Sequence, residues 1–134
     1  MTWYCANLLF VIKAIDEEQE VFPVEEEVYL VEAPDDETAW RKAERIGREE
    51  VEFNGTDELN SKLATREFIG LRKLRSIYNP VWMKEFEWMK EFDKDPPVDG
   101  SELTRSYFEV RGLSDLEELK QGRPVMVLYK DGAT

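Results

Sequence analysis

Apolar and polar positions along this chain change their period several times, and each change marks the boundary of an element. From Trp3 to Ala14 the period is two: Tyr4, Ala6, Leu8, Phe10 and Ile12 fall on one face, Trp3, Cys5, Asn7, Leu9 and Val11 on the other. Both faces are mostly apolar, which predicts a central strand, covered on both sides or paired in an oligomer. Residues 16–23 form an acidic connection closed by Pro23. Val24 to Ala33 predicts a second strand, with Val28 and Leu30 on one face, Tyr29 and Val31 on the other, and a polar start at Glu25, Glu26 and Glu27. The short link between the two predicts an antiparallel hairpin.

From Asp35 to Glu52 the period becomes helical. Ala39, Trp40, Ala43, Ile46, Gly47 and Val51 recur at i, i+3 and i+4 and gather into one stripe, while Arg41, Lys42, Arg45, Arg48 and Glu49 point elsewhere. Glu50 interrupts the stripe near its end. Pro34 blocks helix upstream, Asp35 or Asp36 can accept from the free N–H groups of the first turn, and Asp36 and Glu37 suit the positive end of the dipole. Small Ala39, Ala43 and Gly47 let the helix axis lie close to a flat surface, so a sheet is the expected partner. Trp40 is expected to be largely buried against the strand of residues 4–12, where truncation to alanine would cost about 3–5 kcal/mol.

Phe53 to Leu63 is polar and rich in turn residues. Thr65 to Tyr78 alternates again, but Leu74 falls out of phase, which predicts a bulge near Arg72 to Leu74. Leu103 to Val110 predicts another strand. Ser114 opens a short helix through the capping box Ser114-x-x-Glu117, with Leu116 and Leu119 on one face and Gly122 at its stop. Val125 to Tyr129 predicts a last, buried strand. The whole reads as one α+β domain spanning residues 1–134, with an insertion at 80–99. Its core is a mostly antiparallel sheet of about five strands, with one long helix and one or two short helices packed on it.

The insertion carries a direct repeat: Trp82-Met83-Lys84-Glu85-Phe86 returns as Trp88-Met89-Lys90-Glu91-Phe92, with Glu87 between. Helix-forming Met, Lys and Glu after Asn79-Pro80 favour a helix, on which Trp82, Phe86 and Met89 form a seam flanked by Trp88 and Phe92. One reading has these side chains capping the domain's own core. The other makes Trp82, Phe86, Trp88 and Phe92 a docking surface for another chain or a second copy, since such residues are enriched at interface centres.

Four pieces together resemble an uncharacterised bacterial family of small domains of unknown function. They are Trp3-Tyr4-x-Ala6-x-Leu8-x-Phe10, Glu26-x-Val28-Tyr29-Leu30-Val31-Glu32-Ala33, Ala39-Trp40-x-Lys42-Ala43-Glu44-x-Ile46-Gly47 and Phe68-Ile69-Gly70-Leu71. The resemblance covers about the first 75 residues. It implies the order strand, strand, helix, strand, and supplies no catalytic or binding residues.

Composition narrows the chemistry. A hydrophobic content of 42% with 12% aromatic residues argues for a packed core in spite of 36% charged residues. The formal charge of −12 disfavours unspecific binding to nucleic acid or to an anionic membrane, and suits a basic partner or simply solubility. A lone cysteine makes no internal disulfide, and no apolar run has the length of a membrane span or the pattern of a signal peptide, so a cytoplasmic location is expected. Asn54-Gly55-Thr56 then reads as a turn rather than a glycosylation site.

The absence of histidine removes Ser-His and Cys-His nucleophile activation and the commonest transition-metal ligand. Neither glycine-rich phosphate-loop pattern occurs, and Asp93-x-Asp95 with Asp99-Gly100 does not meet calcium-loop spacing, so no cofactor is expected. Cys5, mid-strand with no basic neighbour in sequence, is expected to be inert. Arg72, Lys73 and Arg75 form an anion site, or face Glu25 to Glu27 across the sheet, or sit in solvent. The leading expectation is a non-enzymatic protein-binding or regulatory module whose partner is a protein, basic in character, or a second copy. A small carboxylate-based enzyme is the second reading. An acidic nucleic-acid mimic is the third: Glu25 and Glu27 on one strand face stand about 6.6 Å apart, although edge solubilisation also accounts for them.

Overall fold

The strand β1 (Thr2–Ala14) has two apolar faces because it lies inside the sheet, between β2 (Val21–Ala33) and β4 (Lys62–Ser76). The computed structural model describes residues 1–77 and 99–130. The other elements are helix α1 (Asp36–Phe53), β3 (Thr56–Leu59), β5 (Glu102–Arg111), helix α2 (Gly112–Lys120) and β6 (Val127–Tyr129). The sheet order is β3-β4-β1-β2-β5-β6, every neighbour antiparallel, and β1 and β2 form the expected hairpin. The fold is therefore α+β: a six-stranded antiparallel sheet with two helices among the described residues.

α1 begins where Asp35 accepts a hydrogen bond from the Thr38 N–H at 2.7 Å. Its stripe of Ala39, Ala43 and Gly47 is buried on one face of the sheet, over Tyr4, Ala6, Leu8, Phe10, Tyr29 and Val31. Gly47 is required by this close approach, because a Cβ there would stand 2.5 Å from the ring of Phe68. That ring is itself held 5.5 Å from Phe10. Gly47→Ala is expected to lower the melting temperature, as overpacking at about 1–3 kcal/mol outweighs the helix-propensity gain of about 1.

Trp40 departs from expectation: it is 43% exposed, not buried against residues 4–12. A helix seated on alanine and glycine leaves no room beneath it for an indole. Trp40 therefore lies at the flank, in a shallow groove beside Leu74 and Lys73 of β4, and its Nε1 donates to Glu44.

β4 carries two irregularities against β1. Pairing passes from Asn7–Lys73 to Leu8–Leu71, skipping Arg72, within the stretch where a bulge is expected. It passes again from Leu9–Gly70 to Phe10–Phe68, skipping Ile69, and Gly70 sits there at φ +133°, open to glycine. Each bulge reverses the phase of alternation. Phe68, Leu71 and Leu74, three residues apart, thereby share the α1 face.

β3 is the strand the polar stretch 53–63 conceals. It joins β4 through Asn60 and Ser61, both at positive φ (53° and 65°), the two-residue turn whose twist matches a hairpin. β2 starts at Val21 rather than after Pro23. Its ladder with β1 ends at Val24, so the missing Pro23 N–H leaves no gap there. Gln19 closes that end instead, accepting from the Ala14 N–H at 2.7 Å and donating to the Ile12 carbonyl at 3.3 Å.

The opposite face packs Leu9, Val11, Phe22, Val24, Phe108 and Val110 beneath Leu116 of α2. α2 begins at Gly112, two residues before Ser114, so the predicted capping box lies inside the helix and caps nothing; its N-cap Arg111 makes no side-chain bond. Gly122 follows the helix end, as expected. β6 is a three-residue edge strand with Leu128 and Tyr129 exposed, not a buried one.

Candidate functional site

Glu25, Glu26 and Glu27, expected at the polar start of a strand, are buried in the middle of β2. On the α1 face, β5 lies on one side of β2 and β1 on the other, and both approaches supply a cation. Arg66 of β4 reaches across β1 with its guanidinium 4.1 Å over the Phe10 ring. It bonds Glu25 at 2.7 Å and Glu27 more closely, and reaches Glu50 of α1 at 3.4 Å. Glu50 breaks the α1 stripe because it meets this arginine. From β5, half-exposed Arg105 stands 3.6 Å from Glu25 and 4.0 Å from Glu27, and is held by Glu102 at 2.9 Å. The Tyr29 hydroxyl donates to Glu27 at 2.6 Å.

The two buried carboxyls are driven in opposite directions in proton affinity. Burial pushes Glu27 up to about 8, and the hydrogen bond with Glu25 adds to that rise. Burial raises Glu25 as well, but its bonds to Glu27 and Arg66 prevail and hold it below the usual carboxylate range. Glu27 thus binds its proton in the folded chain at pH values where the unfolded chain, near 4.5, has lost it. The folded state holds more protons across that window, so this group's stabilising contribution is complete below pH 4.5 and fades as pH rises towards 8. With no histidine in the chain, few other groups titrate there. Melting temperature is expected to fall between about pH 5.5 and 8.5 in the wild type, and to stay nearly flat in Glu27→Gln.

General acid or base chemistry needs a substrate within hydrogen-bond reach. Glu27 has no exposed surface and Glu25 almost none. With Glu27 sealed and Glu25 nearly so, these two carboxylates do not stand at a solvated sheet edge. On the opposite face Glu26 is gripped through two nitrogens by Arg72 and by Asn7 Nδ2 at 3.3 Å. Of the basic cluster predicted on this strand, only Arg72 meets the glutamates; Lys73 and Arg75 make no ion pair among the described residues. The cations for Glu25 and Glu27 are Arg66 and Arg105, which the sequence pattern does not single out.

Cys5 is half-buried, and burial pushes its thiol up against the opposing pull of Lys73, which is near it in space though not in sequence. Slow modification by a thiol reagent at neutral pH is expected, against fast modification in denaturant.

A second feature lies at the β1–β2 turn, where the β3–β4 hairpin comes alongside. Ala14, Ile15, Leu59 and Leu63 line a hollow of about 450 Å³ rimmed by Asp16, Glu17 and Lys62. Ile15 and Leu63 are exposed. Lys62 is taken by Glu17, while Asp16, Glu18, Glu20 and Glu58 have no cationic partner among the described residues. Trp82, Phe86, Trp88 and Phe92 lie outside the described residues. The chain leaves for that segment from Ile77, bonded to the Trp3 carbonyl at 2.7 Å. It returns at Asp99, which accepts from the Glu32 N–H at 2.7 Å and pairs with Lys42. Among the described residues, no three His, Cys, Asp or Glu side chains converge to hold a metal, and no helix is long and apolar enough to cross a membrane.

These features define a small α+β domain with a sealed acid–arginine cluster and an apolar, acid-rimmed sheet end. Residues 3–85 match the family model described as Domain of unknown function (DUF4288), and the chain belongs to that family. The matched segment contains Glu25, Glu27, Arg66 and the β1–β2 hollow, while β5, α2 and β6 lie beyond it. No curated protein and no solved structure matches the chain.

Proposed function

We propose that this chain is a non-enzymatic protein-binding module that takes a basic segment of a partner protein at the β1–β2 turn. The observation that carries the reading is the pairing of exposed Ile15 and Leu63 with Asp16, a rim carboxylate that has no cationic partner among the described residues. An apolar floor inside a charged rim is the anatomy of a protein contact, in which the floor supplies affinity and the rim supplies orientation and rate. A partner presenting an aliphatic anchor between lysines or arginines matches both. The sealing of Glu25 and Glu27 supports a structural rather than catalytic use of the most perturbed carboxyls in the fold.

The test compares wild type with Leu63→Glu, whose side chain is exposed and should leave the melting temperature unchanged. Proteins from a lysate of the source cells are retained on each and identified by mass spectrometry. A protein held by wild type, lost on Leu63→Glu, and bound about tenfold or more weakly as purified material when salt is raised supports the reading. If every protein held by wild type is held equally by Leu63→Glu, the hollow is not the contact and the reading fails.

A further inference from the structure

The outer edge of β6 offers a second surface, independent of the β1–β2 hollow. β6 pairs with β5 as Phe108–Tyr129, Glu109–Leu128 and Val110–Val127, and the Lys130 N–H donates to the Tyr107 carbonyl at 2.9 Å. In an antiparallel ladder the hydrogen-bonding residues alternate, so Leu128 and Lys130 turn their backbone groups to β5. Val127 and Tyr129 turn theirs outward, where β6 ends the sheet among the described residues. The side chains along this edge are apolar and uncovered: Met126 is 86% exposed, Leu128 60% and Tyr129 54%. A hollow of about 360 Å³ lies between Met126, Val127, Leu128 and the start of α2. Charge or proline normally blunts such an edge, and neither occurs within the three residues of β6.

We propose that β6 pairs with β6 of a second copy of the chain about a two-fold axis at Leu128. Charge selects that occupant. The chain carries −12, so most of its faces repel a second copy, but residues 105–130 hold five cations against four carboxylates, a net of +1. Two copies meet there without the repulsion that every strongly acidic face imposes. Register supports the same choice, since a two-fold at Leu128 sets Val127 opposite Tyr129 of the other copy and Tyr129 opposite its Val127. All four outward-facing groups of each strand are then paired, with the two Leu128 side chains directly opposed at close range. The six-stranded sheet becomes a continuous sheet of twelve.

The experiment is sedimentation velocity on the full chain from about 10 to 500 µM, a range suited to a contact of this small extent. Wild type is expected to shift from monomer to dimer across it. Leu128→Lys and Leu128→Glu each oppose like charges at the axis and should remain monomeric with melting temperatures near wild type. Mixed in equal amounts, they should recover the dimer, which also shows that both variants are folded. Wild type that stays monomeric throughout overturns the proposal. So does a dimer that either variant leaves intact, or a mixture that fails to associate.

Discussion

Arg66→Met is expected to destabilise the folded chain by about 3–5 kcal/mol, the range for removing one partner of a buried ion pair. The cost does not come mainly from the bonds lost. Arg66 is the cation that lets Glu25 be ionised under α1, and it also ties Glu50 of the helix to the sheet. Methionine keeps the length over Phe10 and removes the charge, leaving a carboxyl pair with half-exposed Arg105 as its nearest cation. The pair would then take up a second proton, so the deficit should shrink as pH falls through the carboxylate range. Urea denaturation at about pH 5 and pH 8 measures this. Replacing Glu25 and Glu27 by glutamine in the Arg66→Met background should restore part of the loss, because the penalty is that of uncompensated charge. Equal stability of wild type and Arg66→Met at pH 8 would mean that the cluster is solvated in solution and not sealed.

Phe10→Ala is expected to cost about 3–5 kcal/mol, while Trp40→Ala should cost on the order of 1. Size alone ranks these aromatics the other way. Phe10 is fully buried at the centre of β1, under α1, against Phe68 and beneath the Arg66 guanidinium. Its removal opens a cavity and takes away the surface over which the arginine reaches Glu25 and Glu27. Trp40 keeps 43% of its surface in water and holds a hydrogen bond within its own helix. Thermal melts of the two variants beside wild type decide the order. A Trp40→Ala loss as large as that of Phe10→Ala would mean that the helix sits deeper on the sheet than described.

Patterns that depend on nearest neighbours in the chain were determined by the sequence itself. The two apolar faces of Trp3 to Ala14 were enough to place β1 inside the sheet, and the Ala39–Ala43–Gly47 stripe enough to seat α1 on it, because burial follows period. A bulge near Arg72 was legible for the same reason, since a phase break in alternation has few other causes. The glutamates were misread because their burial depends on residues that sequence does not bring near: Arg66 lies 41 positions from Glu25. Three consecutive acids read as solvent-facing until the sheet sets Arg66 against Glu25 and Glu27 and Arg72 against Glu26, and only tertiary structure decides whether a charge is compensated. Pro23 hid the start of β2 because its tolerance rests on where the β1 ladder ends. Trp40 was misplaced because a stripe has a width, and how much of it fits under a helix depends on how closely the axis approaches. The exposed edge of β6 has the same origin. Val-Met-Val-Leu-Tyr is apolar enough for a core, and it is exposed because sheet order put it last, with no further strand among the described residues to cover it.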